Sequence, residues 1–243
     1  KRKSVRAYEP RPVPPEVKEQ ILNAAMRAPT AGNMMLYSIL EVEDQAKKER
    51  LVETCDNQPF IAQAPLVLIF LADYQRWFDY CKYAGVERHA VKPGEAIVRP
   101  QEGDLLLACC DALIAAQTAA LAAESLGLGS CYIGDILENY EIHREMFDLP
   151  PYALPVAMLC LGYPTNEQRQ RTQTSRFEPE FVVFQNRYHR LSPEDFERMF
   201  NPARGGESAG VRMYRRKFSA GFSLEMRRSV RAMFDMLRDP GLQ

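Results

Sequence analysis

Residues 104–126 read DLLLACCDALIAAQTAALAAESL, and residues 127–135 continue as GLGSCYIGD. The first string predicts one long helix. Asp111 interrupts its apolar run and Glu124 ends it. The unbroken stretch from Ala112 to Ala123 is well short of the roughly 20 residues that cross a bilayer core. The expectation is therefore a helix buried on nearly all sides rather than a membrane span. Gly127-Leu128-Gly129 stops it, because glycine takes the left-handed cap conformation at little cost.

Working outward, strands surround this helix. Residues 66–71, LVLIFL, form a continuous apolar run ending at Asp73, as in a central strand buried on both faces. Residues 130–133 and 156–161 read as further strands, and 38–42 as a short one. Residues 16–28 carry Val17, Ile21, Leu22 and Ala25 on one helical face, and Pro29 stops that helix. Residues 47–55 also look helical. Residues 74–103 are mixed, with a polar loop around Lys92-Pro93-Gly94-Glu95, the sort of segment that forms a lid.

Further on, residues 165–176 are polar and basic without an apolar period. Phe181-Val182-Val183-Phe184 is a strand candidate, and residues 201–222 read as an extended loop. Ser223 would cap a last helix whose apolar face is Met226, Val230, Met233, Phe234 and Leu237. Arg227, Arg228, Arg231 and Arg238 lie opposite that face, among acids as well, so a solvated surface is the reading. Internal repeats and convincing linkers are absent.

The chain has 243 residues, 46% hydrophobic and 26% charged, with a formal net charge of −1. That balance fits a globular protein and excludes a global bias toward nucleic acid or anionic membranes. The cysteines are Cys55, Cys81, Cys109, Cys110, Cys131 and Cys160, with no C-x-x-C pair. They read as free thiols in a reducing compartment, and the expected location is cytoplasmic. Lys1-Arg2-Lys3-Ser4 lacks a following apolar run, so no signal peptide is expected. Three histidines, His89, His143 and His189, form no H-E-x-x-H pattern, and no G-x-S-x-G elbow exists. Neither a metal site nor a hydrolytic set is expected.

Four constellations can carry chemistry. In extended backbone Arg2, Ser4 and Arg6 share a face, presenting two guanidinium forks and a hydroxyl to a phosphate. The turn Ala28-Pro29-Thr30-Ala31-Gly32-Asn33 lets backbone approach a flat ligand, with Asn33 offering donor and acceptor. The glycines of residues 127–134 could set amides against a ring, although the string lacks G-x-G-x-x-G spacing and follows a helix instead of opening one. Arg169, Arg171 and Arg176 form either a second phosphate clamp or a solvated loop. Taken alone, the first is as readily a frayed terminus, the second and fourth read rather as a surface turn and a solvated loop, and the third also reads as a helix cap before a strand.

Together and in this order the pieces resemble the nitroreductase family of FMN enzymes. The resemblance runs from Arg2 to about Tyr188. It is carried by R-x-S-x-R followed by Tyr8, A-P-T-A-G-N, Asn57-Gln58-Pro59-Phe60-Ile61-Ala62 before A-P-L-V-L-I-F, the alanine-rich helix, G-L-G-S-C-Y-I-G, L-G-Y-P, Arg176-Phe177, and Asn186-Arg187-Tyr188. It implies an α+β fold, a three-layer α-β-α sandwich with a mixed central sheet, in an intertwined homodimer. Residues 1–200 would be the FMN-binding domain and 201–243 a C-terminal extension packing on the dimer. Arg2, Lys3, Ser4, Arg6 and Arg176 would hold the FMN phosphate. Pro29, Thr30, Ala31 and Asn33 would line the ring and ribityl chain, Gln58 would reach the polar edge of the ring, and Ile133 and Gly134 would lie near N5. The long helix would be the dimer core.

The implied reaction is ping-pong transfer of hydride from NAD(P)H through flavin N5 to an electron-poor small molecule such as a nitroaromatic or quinone, with no catalytic acid–base set. A flavin reductase, a reductive dehalogenase and a non-catalytic FMN-binding protein are the alternatives. Met35 and Leu36 stand where the family often has Gln-Pro, and Asp135 where relatives often have a second glycine. An acid there would disfavour anionic reduced flavin.

Overall fold

The computed structural model describes residues 2–89, 92, 95–200 and 208–239. In chain order its elements begin with α1 (Pro15–Met26), β1 (Tyr37–Glu41), α2 (Gln45–Thr54), α3 (Phe60–Gln63) and β2 (Leu66–Asp73). Then come α4 (Gln75–Tyr83), α5 (Val86–His89), α6 (Glu102–Ser125), β3 (Gly129–Ile133), α7 (Tyr140–Met146), β4 (Ala153–Gly162) and α8 (Asn166–Gln170). The last are α9 (Pro193–Phe200), α10 (Ala209–Met213) and α11 (Gly221–Arg238). The chain divides into two compact units, Lys1–Arg171 with Glu225–Gln243, and Thr172–Leu224.

The four strands of the first unit are ordered β1-β2-β4-β3. Every residue of β2 is buried, as its unbroken apolar run requires. Alternation along β2 sorts its side chains. Leu66, Leu68 and Phe70 pack with Ile21 and Ala25 of α1 and the alanines of α6. Val67, Ile69 and Leu71 pack with Leu51 of α2 and Phe60 and Ile61 of α3.

The resemblance implies a mixed sheet, but all neighbouring strands pair antiparallel. The chain path explains the difference. Through α6 the chain returns to start β3 in the direction of β2, yet β4 slots between the two and opposes both. Parallel pairing among the described residues is confined to the bridge of Ser4 to Ser130. There the N-terminal segment lies against the sheet edge, over two glycines that leave it room. A Cβ at Gly129 would strike Val5, and one at Gly162 would come within 2.8 Å of Tyr8 and 2.6 Å of Pro65.

Helix α6 opens with a capping box between Gln101 and Asp104. It closes on Gly127 at φ 84°, with the Leu128 amide donating back to the Ala123 carbonyl at 2.9 Å. Burial on nearly all sides does not hold within one chain. Leu105, Ala108, Asp111, Ala112, Ala115, Ala116, Ala119 and Ala123 are buried. Leu106, Leu113, Ile114 and Leu121 face outward, 68%, 46%, 40% and 55% exposed. Small residues let α6 sit close to the sheet, and the large ones are left over.

Three expectations near the C-terminus need correction. Residues 181–184 are not a strand. Pro179 opens a 3-10 turn (Pro179–Phe181), burying Phe181 while Val182 and Val183 stay exposed. Of the expected loop 201–222, residues 201–207 lie outside the described residues, and the rest is largely helical, in α10 and a π-turn (Tyr214–Phe218). Ser223 lies inside α11 instead of capping it, its hydroxyl donating to the Lys217 carbonyl. The apolar face of α11 is as expected: Met233 and Leu237 are buried in one cluster with Leu36, Ala72 and Phe78. Within the second unit, Arg198 pairs with Glu180 at 2.8 Å and Asp195 at 2.7 Å.

Candidate functional site

The basic N-terminus is not frayed. The Val5 amide donates to the Ser130 carbonyl at 2.9 Å, and Val5 is buried. Alternation turns its neighbours the other way. Arg2 Nη1 donates to Ser130 Oγ at 3.3 Å. Burial pushes the Cys131 thiol up, while Arg6, the Ser4 hydroxyl, Arg2 and Arg171 pull it down. The N-terminal segment thus bridges to β3 at Ser4 and Ser130, with the Arg2 guanidinium at the Ser130 hydroxyl. Lys3 points elsewhere, its Nζ donating to the carbonyls of Arg169, at 2.6 Å, and Arg171.

The far end of β3 holds a second group. In the turn before α3, Asp56 and Asn57 take positive φ, which reverses the chain and presents Gln58. Gln58 Nε2 donates to Asp135 Oδ2 at 2.7 Å and to the Cys55 carbonyl at 2.9 Å. Ile133 is buried at the end of β3, and exposed Gly134 opens the 3-10 turn Gly134–Leu137. Just past that turn Glu138 is buried, and its Oε1 has no hydrogen-bond partner among the described residues. Burial, then the charge of Asp135, pushes its carboxyl up to about 8.

The turn after α1 is organised from α6. Buried Asp111 accepts from the amides of Ala31 at 3.0 Å and Leu36 at 3.2 Å, and from the Thr30 hydroxyl. Thr30 Oγ1 accepts in turn from the Met35 amide at 2.8 Å. Trp77 Nε1 donates to the Met34 carbonyl at 2.8 Å, and Arg76 Nη1 to that of Met35 at 3.0 Å. Pro29 and Asn33 are exposed on this turn, and Asn33 takes φ 57°.

Within one chain these groups do not all meet. Arg2, Ser4 and Arg6 share β3 with Ile133, Gly134 and, through Asp135, Gln58. The turn bearing Pro29, Thr30, Ala31 and Asn33 sits at Asp111, whereas Ser130 Oγ donates to Glu124 at 3.3 Å. Asp111 and Glu124 are about 20 Å apart along the axis of α6 at 1.5 Å per residue. Arg176 belongs to the second unit and donates to the carbonyls of Thr174 and Ser175.

The donor set suits FMN. Arg6 forms no ion pair among the described residues, leaving cationic charge for a phosphate. Gln58 offers an amide for a polar ring edge. Arg171, which the sequence leaves between clamp and solvated loop, lies with the N-terminal cations, its guanidinium donating to the Ser4 carbonyl. Asp111 is the residue sequence reading missed, since it registers there only as a break in an apolar run. That break was the available signal, because a lone acid inside an alanine-rich helix must find donors.

Residues 1–163 match the profile of the Nitroreductase family. The FMN reductase [NAD(P)H] of Bacillus subtilis is 35% identical over 169 residues, 70% of this chain and 65% of its own length. The oxygen-insensitive NADPH nitroreductase of Salmonella typhimurium is 33% identical over 189 residues, 78% of this chain and 72% of its own length. The chain thus spans about two thirds of the curated relatives it matches. Among solved structures, nitroreductase A of Vibrio parahaemolyticus superposes with a TM-score of 0.71 at 28% identity, covering 82% of this chain and 79% of that one.

Proposed function

The chain belongs to the nitroreductase family, and from that premise we propose that it is an FMN-dependent NAD(P)H oxidoreductase. When bound, FMN supplies a hydride relay from NAD(P)H to an electron-poor acceptor such as a nitroaromatic or quinone. The side chains bind and orient. Arg2, Ser4 and Arg6, with Arg171, take the phosphate at the start of β3. Gln58, Ile133 and Gly134 meet the ring at its end. Lys3 serves the site indirectly, by tying the N-terminal segment to residues 169–171.

The observation that carries this reading is the basic N-terminal segment pinned along β3, Ser4 bridged to Ser130, with the Arg2 guanidinium at the Ser130 hydroxyl and that of Arg171 at the Ser4 carbonyl. A homodimer completes it. The outward leucines of α6 form an apolar stripe that a second copy would cover, and that copy would bring its own Thr30–Asn33 turn to the flavin. The fold then reads as a three-layer α-β-α sandwich, intertwined with its partner. The six free thiols support a reducing, cytoplasmic setting.

The test is direct. The purified protein should be yellow, bleach on anaerobic mixing with NADH or NADPH, and recover colour with an acceptor. Parallel double-reciprocal lines should follow. A colourless protein that ignores added FMN overturns the proposal.

A further inference from the structure

We propose that Asp135 is a positioning residue that locks the Gln58 side-chain amide with its carbonyl oxygen facing the cofactor, so that N3–H of oxidised flavin is its partner. The proposal rests on the FMN reading above.

The orientation of an amide follows from what surrounds it. Gln58 Nε2 lies 2.9 Å from the Cys55 carbonyl and 2.7 Å from Asp135 Oδ2. Both neighbours are acceptors. A flipped amide would set its oxygen against two oxygens and lose both hydrogen bonds. Both N–H groups of the amide nitrogen are therefore spent inside the protein. Oε1 meets no donor among the described residues, and Gln58 is only half-buried.

The chemistry of the ring selects its partner. Oxidised isoalloxazine carries a single N–H, at N3, while N1, N5 and both carbonyl oxygens accept. An outward amide oxygen is satisfied by N3–H and repelled by the other positions. Without Asp135 only the Cys55 carbonyl would resist a flip.

The experiment uses full-length protein loaded with ¹⁵N-labelled FMN. FMN retention is scored first by fluorescence quenching, and failure to bind overturns the function proposed above instead of this inference. The ¹H–¹⁵N signal of N3–H then reports its exchange with water. In the wild type, exchange should be at least about tenfold slower than in free FMN, the factor expected for one lost hydrogen bond. Asp135→Gly should remove most of that protection. Asp135→Asn keeps an acceptor oxygen and should preserve it. Should Asp135→Gly not fold, Asp135→Ala carries the same reading. Wild-type protection unchanged in Asp135→Gly, or wild-type exchange as fast as in free FMN, overturns the proposal.

Discussion

The carboxylate of Asp111, in the middle of α6, accepts a hydrogen bond from the backbone amide of Leu36 at 3.2 Å. With Ala31 and Thr30 held by the same carboxylate, one helical acid fixes both ends of the turn expected to line the flavin. Asp111→Ala would strand the buried Leu36 amide, the part-buried Ala31 amide and a hydroxyl, at a cost of about 3 kcal/mol. Urea unfolding should show that loss together with weakened FMN binding. Asp111→Asn keeps one acceptor oxygen and should lose less.

The N-terminal cations should not be equivalent. Arg2 reaches the Ser130 hydroxyl and Arg6 follows the same alternation about buried Val5, so Arg6→Ala or Arg2→Ala should raise the FMN Kd by about 10- to 100-fold, the worth of a charged hydrogen bond. Lys3→Ala should do less, because its ammonium serves backbone carbonyls. Fluorescence titration with FMN compares them, and equal losses would contradict the assignment.

His143 should govern acid stability. It is fully buried between the Ile136 carbonyl and the Thr54 hydroxyl, and burial lowers it to about 4. Between that value and its ordinary 6.5, the unfolded chain binds the extra proton. Stability therefore rises with pH across this window and is lost as pH falls through it, by about 3 kcal/mol in all. His143→Gln should flatten this arm of the stability profile.

Glu138 should act with the opposite sign. Its carboxyl is raised to about 8, so the folded chain binds the extra proton between about 4.5 and 8. Stability falls as pH rises through that window. Glu138→Gln removes the ionisable group and should raise the thermal midpoint at about pH 8.5, with little change at about pH 5, the two sides of that window.

On α6, Leu113→Glu should leave the fold intact, because Leu113 is 46% exposed in the single chain. If a second copy covers the stripe, the buried charge would prevent association. Analytical ultracentrifugation should then find a monomer, with FMN lost in parallel. A dimer that keeps its flavin would place the interface elsewhere.

Much of the fold was legible in the sequence because it depends on local periodicity. The run 66–71 is a buried strand, and the small faces of α6 match its packing against β2. The glycines after α6 end it because backbone sterics admit little else at φ 84°. The basic N-terminal alternation was legible for the same reason, since an extended chain sends Arg2, Ser4 and Arg6 one way. The segment 181–184 misled because four apolar residues look like a strand, and only a neighbouring strand could make them one.

Tertiary structure alone decided the rest. No spacing predicts that Gln58 meets Asp135, that Arg171 returns to Ser4, or that Asp111 holds residues 31 and 36. Those pairs lie far apart in sequence and are joined by the order of strands and the path of α6. The antiparallel sheet has the same origin: each strand is read locally, but which strand inserts between two others is settled by packing across the whole core.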